Sequence, residues 1–503
     1  MSLIETTLKA ATRPKVNLFY GIALASALIL LLGPAKGLVI SVGILVVFLS
    51  LVHPIVGLAI VVFANTSFQV LGSSHITGAP LSMSKMFGAI TLGAVMLHMM
   101  FSGWKITKSS VYKPIFGFLV VVFWWDFLVQ NPETAFLEGT NRLIQMTLLL
   151  TLVGTIAGQS NRMLDITVWT FSAAMALTGI IGLMEHFLPQ LAIESDDPRL
   201  ALGAIGGIID RESLSGVVIK RITGGIGDAN WLAYSIAMSV PLLIYAWHRW
   251  ESFWPRFFVM FLGGLQLVAL VLSYTRTGFL GLGIAGTYLI WRRTVPFKPM
   301  LFLVIVGILV GAFYLPAGFV DRMFSSKYLK EGSTPLRKLY VSQAARIWSN
   351  QPIFGYGYKG FGTNFYEAML TKWPEDPRLQ AWAFEMERSV VEGRELVSNI
   401  GPHNLELEIL VEYGLVGFVF YFGIFVFTFR ELTMAEKTGP PHLRILAICI
   451  KAGLIAFLVC GLLGHAKYLK FLWLLLGLSV ATRRVAMIGD TPVKSLLETT
   501  IRR

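Results

Sequence analysis

The chain reads as an all-α polytopic membrane protein, and its composition, its long apolar runs and the placement of its cations predict that class. The 503 residues are 55% hydrophobic and only 14% charged, with a mean hydropathy of +0.67, too apolar for an ordinary soluble enzyme. Runs such as "LFYGIALASALILLLG" and "ITVWTFSAAMALTGIIGL" approach the roughly 20 residues a helix needs to cross hydrocarbon. Barrel strands would instead alternate apolar and polar residues over roughly ten positions.

Taken in order, apolar spans fall near residues 17–33, 37–52, 55–71, 83–101, 114–130, 142–158, 166–187, 229–247, 257–274, 277–291, 299–317, 404–429, 445–464 and 467–482. They amount to about 12–14 transmembrane helices, the short early ones being the weakest. No cleavable signal segment is expected in "MSLIETTLKAATRPK", which places the N-terminus in the cytoplasm. Alternate connectors then carry Lys105, Lys108 and Lys113, Arg162, Arg249 and Arg256, Arg292, Arg293 and Lys298, and finally Arg430, Lys437 and Arg444. That alternation, ending in a cytoplasmic C-terminus, explains the net charge of +13 as a positive-inside bias rather than affinity for nucleic acid. Cys449 and Cys460 share one apolar segment; a helix holds them about 16 Å apart, too far for a disulfide.

Residues 1–503 read as a single membrane domain without repeats. Two external connectors, 189–228 and 318–403, are long enough to be structured and functional. In the large loop 318–403, "YLKEGSTPLRKLYVSQAARIWSN" and "PRLQAWAFEMERSVVEGRELV" have the mixed character of amphipathic helices lying on a membrane face.

Polar residues gather at that external face in "KRITGGIGDANWLA" (220–233), "SYTRTG" (273–278), "RIWSNQPIFGYGYKGFG" (346–362) and "NIGPHNLELEILVEYGLVG" (399–417). The apolar run 257–291 would measure about 52 Å as one helix, against about 30 Å of hydrocarbon. It must fold back with "YTRTG" as the turn, which puts Tyr274 and Arg276 at the membrane-water boundary. Taken alone, Arg276 is equally a snorkelling side chain on a lipid phosphate. Together with Lys220, Arg221, Arg346 and Lys359 it makes a candidate pyrophosphate clamp, because guanidinium forks match phosphate oxygens in geometry and charge.

Two readings stay open for "FGYGYKGFG": Gly357 and its neighbouring glycines let backbone N–H groups approach an anion, or the segment is a turn-rich re-entrant loop packed on the bundle. In "PHN", His403 is a candidate general base or hydrogen-bond partner, while spacing alone slightly favours helix capping by His403 and Asn404. Glu408 and Glu412 share a helix face with Asn404, and Glu412, about two turns into the bilayer, needs a partner there, which makes it a site candidate. The histidines are scattered and no Cys/His cluster exists, so neither a metal nor another cofactor is expected.

In this order, "ITGGIGDANWLAY", "LSYTRTGFLGL", "ARIWSNQPIFGYGYKGFG" and "PHNLELEILVEYGLVGFVFYF" resemble the O-antigen ligase and O-antigen polymerase superfamily of bacterial inner-membrane proteins. The resemblance covers roughly residues 220–430, an O-antigen ligase-like core. It implies a GT-C-like fold and glycosyl transfer at the periplasmic face, without metal or nucleotide sugar, from an undecaprenyl-pyrophosphate-linked glycan to an acceptor hydroxyl. It also implies that Arg221 and Arg276, with Arg346 less firmly, hold the donor pyrophosphate while His403 activates the acceptor. The chain departs from the family in reading as about fourteen spans where around twelve are common.

The acceptor is left open among lipid A core, growing glycan and protein, so a ligase, a polymerase and a protein O-oligosaccharyltransferase all fit, with the ligase type preferred. The remaining partners are membrane lipids, with no nucleic acid. A transporter or flippase without catalysis is the alternative of a different class. It fits less well, because the charges concentrate at one face and the two halves show no similarity.

Overall fold

A computed structural model of the protein describes residues 34–67, 82–128, 132–188, 211–212, 218–219, 221–295, 334–371, 380, 388 and 401–488. The chain divides into two compact units, Met1–Val61 with Met83–Lys105, and Val62–Ser82 with Ile106–Arg503. In the first, α1 (Pro34–Val52) leads into α2 (Pro54–Asn65) through a bend of 119°. Pro54 has no N–H to continue α1 and restricts the backbone of His53 before it. At 12 residues, α2 is about 18 Å long, short of a bilayer crossing. The expected spans 37–52 and 55–71 are thus a single bent pair rather than two crossings. α3 (Met83–Phe101) packs against α1.

The second unit holds α4 (Tyr112–Asp126), α5 (Pro132–Glu138), α6 (Thr140–Ala157), α7 (Asn161–Phe187), α8 (Ala229–Arg249), α9 (Phe253–Leu272) and α10 (Arg276–Trp291). It continues with α11 (Thr334–Asn350), α12 (Gly360–Thr371), α13 (Leu405–Thr438), α14 (Pro441–Gly461) and α15 (Lys470–Ile488). Side chains set several of the starts. Ser160 accepts from Met163 N at 3.2 Å to cap α7, and Asp228 accepts from Asn230 N and Trp231 N at 2.7 and 2.9 Å to cap α8; each satisfies amides that a helix N-terminus leaves unpaired. Within the connector 189–228, β1 (Arg211–Glu212) pairs antiparallel with β2 (Val218–Ile219), a two-residue ladder that leaves the all-α class intact.

α8 lies along α14, α14 along α10, and α15 along α6, and this interior buries Leu242, Tyr245, Phe457 and Trp473. By contrast α9 turns Phe257, Phe258, Met260 and Phe261 outward, a continuous apolar face of the kind that lipid rather than water tolerates. Among the described residues seven helices (α3, α7, α8, α9, α13, α14 and α15) are long and apolar enough to cross a membrane, or eight with the bent pair. α4, α6 and α10 occupy three further expected positions but are shorter or less apolar. The expected spans 17–33 and 299–317 lie outside the described residues. The chain is an all-α polytopic membrane protein.

α11 forms where the first amphipathic helix was expected, but its apolar face is covered by protein. Tyr340, Ala344 and Ile347 pack on Phe361, Phe365 and Met369 of α12 and on Val411 of α13. The second expected amphipathic stretch falls almost wholly outside the described residues.

Antiparallel packing in this unit gathers the α9–α10 and α14–α15 turns at one end, with the starts of α8 and α13 and the end of α7. The opposite end carries Arg249, Arg256, Arg292, Arg444 and Arg484. Two pairings tie helices together there: Arg249 with Asp165 at 3.1 Å, and Glu436 with Arg292 and Lys451 at 2.7 and 2.6 Å.

Candidate functional site

The site is organised around a break in α13. Gly414 adopts φ 61° and ψ −164° inside that helix, a left-handed conformation that glycine tolerates and other residues resist. The residues that precede α12 fill the gap. Tyr356 N and Gly357 N donate to the carbonyls of Val411 and Glu412 at 2.8 and 2.7 Å, while Leu415 N and Val416 N donate to Pro352 and Ile353 at 2.9 and 3.1 Å. The backbone groups freed by the break are thereby satisfied within the protein, as a membrane interior requires. A Cβ on Gly355 would lie 2.6 Å from the Glu412 carbonyl carbon, so only glycine fits. The "FGYGYKGFG" stretch is therefore a packed loop, and the Gly357 amide is used by the protein itself.

This break aims the first two turns of α13 at a cavity of about 360 Å³. α13 contributes Glu408 and Glu412, the loop before α12 gives Tyr358 and Lys359, and α5 and α6 supply Glu138 and Arg142. Trp231 of α8, Gly401 and Pro402, and His465 to Tyr468 from the α14–α15 turn close it. Lys467 is the electrostatic centre: its ammonium pairs with the Glu412 carboxylate and lies 3.1 Å from Glu408 Oε1. Burial by itself would lower the affinity of Lys467 for its proton, but Glu408 and Glu412 together hold it above its usual value, since opposite charges favour the ionised form. A second pair joins Lys359 to Glu138 at 2.8 Å, and the Tyr358 hydroxyl donates to the same carboxylate at 2.7 Å. Burial opposes ionisation of Glu138, yet Lys359 and Tyr358 prevail and keep it below the usual carboxylate range. The Tyr468 phenol, under the Lys467 ammonium at 5.2 Å, is pushed up to about 12, burial being the largest cause.

Beside the cavity, aromatic rings run in a line. Trp231 Nε1 donates to the His465 carbonyl at 3.0 Å; the His465 and His403 rings lie 4.8 Å apart, and His403 stacks on Tyr340 at 5.6 Å. His403 has φ 51°. Asn404 caps α13: its Oδ1 accepts from Leu407 N at 2.8 Å and its Nδ2 donates to the Leu462 carbonyl at 2.9 Å.

The turn at 273–276 is built as its length demanded, with α9 ending at Leu272 and α10 opening on Arg276. Arg221, 5% exposed, holds it. Arg221 Nε donates to the Ser273 carbonyl at 2.9 Å, and Nη2 donates to Thr275 Oγ1 and Asn230 Oδ1 at 2.8 and 3.1 Å. The loop after Arg221 is clamped in turn by Glu185, which accepts from the amides of Thr223, Gly224 and Gly225 at 2.8 to 3.0 Å. Tyr274 is buried in the turn with φ 50°, and Arg276 is half-buried at the first position of α10.

Of the residues singled out from sequence, Lys359 and Glu412 line the cavity. His403 and Asn404 stand beside it, Gly357 sits in the loop behind it, and Arg221, Tyr274 and Arg276 form the neighbouring turn. Arg346 is exposed on α11 and is not among the residues lining the cavity; Lys220 lies outside the described residues. Lys467, Glu138, Arg142, Tyr358, Tyr468, His465 and Trp231 were missed. One signal pointed to Lys467: two carboxylates a turn apart in an apolar helix need a cation, and "HAKYLK" (465–470) supplies it. By hydropathy that lysine is instead the first residue of the expected span 467–482. Among the described residues no group of three or more His, Cys, Asp or Glu side chains could hold a metal ion.

A helical membrane bundle with a charged, aromatic-lined cavity at one end defines the class: a polytopic membrane protein with a polar site at the bundle end. Residues 261–422 match the family model Wzy_C, O-antigen ligase. The resemblance to the O-antigen ligase and polymerase superfamily therefore holds over that segment, which includes the Arg276 turn, the loop in the α13 break, His403 and Glu412. No curated protein matches the chain.

Proposed function

We propose that this protein transfers a glycan from an undecaprenyl-pyrophosphate carrier to an acceptor hydroxyl, in the manner of an O-antigen ligase. It would act without a metal, at the periplasmic face of a bacterial inner membrane. The observation that carries the reading is the O-antigen ligase match over 261–422, which spans both the Arg276 turn and His403 at the polar end of the bundle.

In this reading the acceptor hydroxyl gives its proton to His403 and its oxygen bonds to the anomeric carbon of the donor. The bond from that carbon to the pyrophosphate oxygen breaks, and its electron pair leaves with undecaprenyl pyrophosphate. Because the leaving group is already a pyrophosphate, most of the catalytic demand is for fixed positive charge where negative charge develops. Arg276, at the tip of its turn, meets that demand. Arg221, whose Nε and Nη2 bond to Ser273, Thr275 and Asn230, positions the turn.

The test is Arg276→Ala, assayed in purified protein with a lipid-linked glycan and, in parallel, lipid A core, free glycan and protein acceptors. Transfer and undecaprenyl pyrophosphate release are expected to fall by about 100-fold or more while expression, membrane insertion and gel-filtration profile stay as in the parent. Unimpaired transfer by that variant would remove Arg276 from the mechanism. Substrate movement across vesicles without bond cleavage would overturn the whole reading.

A further inference from the structure

We propose that the cavity around Glu408, Trp231 and His465 binds a sugar ring of the glycan through its hydroxyl groups, and that the pyrophosphate is held elsewhere. This inference rests on the glycosyl-transfer reading and adds a place for the sugar.

Charge argues first. The lining carries Arg142, Lys359 and Lys467 against Glu138, Glu408 and Glu412. Lys359 and Lys467 are already paired with those carboxylates, so the interior offers a pyrophosphate little net attraction and would bring it close to three anions. An acyl chain is equally unsuited, since it would desolvate these ion pairs without hydrogen-bonding to them.

The unused polar atoms argue second. Glu408 is only 8% exposed, and its Oε2 is buried without a hydrogen-bond partner, as is Nδ1 of His465; both residues line the cavity. Buried polar atoms in folded proteins are nearly always satisfied. Glu408 Oε2 is an acceptor, so its missing partner is a donor, and His465 Nδ1 accepts or donates according to its tautomer, either of which a hydroxyl satisfies. A sugar hydroxyl donates, whereas an ionised pyrophosphate does not.

Shape argues third. Trp231 gives the wall an aromatic side chain, suited to the C–H face of a pyranose, while the Tyr358 and Tyr468 rings lie under the cations of Lys359, Lys467 and Arg142. Arg142 is exposed, with its guanidinium over the Tyr468 ring at 5.6 Å, where it can donate to ring or hydroxyl oxygens. The volume of about 360 Å³ falls in the range of small-molecule sites, roughly 300–1,000 Å³. Pro402, the neighbour of His403, lies in the wall, so a sugar seated here is held beside the proposed base.

The experiment is saturation-transfer NMR on the full chain in lipid nanodiscs, with D-glucose and N-acetyl-D-glucosamine as probes and inorganic pyrophosphate as competitor. At least one neutral sugar is expected to receive saturation that pyrophosphate does not displace. The signal should drop at least five-fold in Glu408→Gln and also fall in Arg142→Ala, a rim change that leaves the interior pairs intact. No signal from the correctly folded parent protein, or displacement by pyrophosphate, would overturn the proposal.

Binding is read without turnover, so a protein that binds sugar but transfers nothing refutes the glycosyl-transfer reading and leaves the sugar site standing. In an active protein, a ten-fold rise in KM for the acceptor alone in Arg142→Ala assigns the ring to the acceptor, and a rise for the donor alone assigns it to the donor glycan. A fall in kcat with both KM values unchanged would count against the site.

Discussion

Lys467 shows how much one residue decides. It is 5% exposed and bonded to two carboxylates of α13. Removing one member of such a cluster strands buried charge, which costs about 3–5 kcal/mol, whereas removing all the charges together can be nearly neutral. Lys467→Met is therefore expected to lower the melting temperature sharply in detergent, and Glu408→Gln with Glu412→Gln added to it should recover much of the loss. Equal melting of Lys467→Met and the parent protein would mean that the cluster does not hold α13 in place. The carboxylates were legible, because their spacing puts them on one face of an apolar helix. Their partner was not, because Lys467 stands 55 residues from Glu412 and only the packing of α13 beside the α14–α15 turn brings them together.

At the scale of elements, the break in α13 and the loop that fills it form one unit. Gly414 has a left-handed φ, and a Cβ there would collide with the backbone of Ile353; Gly355 faces Glu412 in the same way. Alanine at a positive φ costs more than the roughly 0.4–1 kcal/mol that a compatible Gly→Ala change contributes to stability. Gly414→Ala and Gly355→Ala should each destabilise the protein and lower transfer. Gly283→Ala, on an open face of α10 with nothing within 4 Å, should melt at or slightly above the parent temperature. Three superimposable melting curves would show that the break tolerates a side chain.

The fold-back at 273–276 followed from chain length against bilayer thickness, and it is where α9 gives way to α10. For "FGYGYKGFG" the glycines signalled close approach without saying to what. The answer, the backbone of α13, lies more than fifty residues further along the chain and makes no local pattern with the loop.

Across the whole second unit, polar motifs lie at one end of the bundle and arginines at the other. The positive-inside bias predicts that the arginine-rich end is cytoplasmic. In spheroplasts, Glu251→Cys in the α8–α9 connector should resist a membrane-impermeant maleimide until the cells are lysed, whereas Ser349→Cys on α11 should label at once. The native Cys449 and Cys460 are buried and should contribute little background. The reverse labelling pattern would invert the topology and move the proposed chemistry to the cytoplasm.

By itself the sequence determined the membrane class, the places of most helices, the fold-back at Arg276 and the end of the bundle where polar residues collect. These follow from hydropathy, length and charge, which are summed along the chain and need no knowledge of neighbours. Only the tertiary structure decided that Arg221 bonds to the turn, that Asn404 donates to the Leu462 carbonyl, and that Lys467, Glu138, Arg142 and Tyr358 join Glu412 around one cavity. Each of those relations is a contact between helix ends remote in sequence. Such contacts depend on which helices pack side by side, and no property summed along a single segment contains that information.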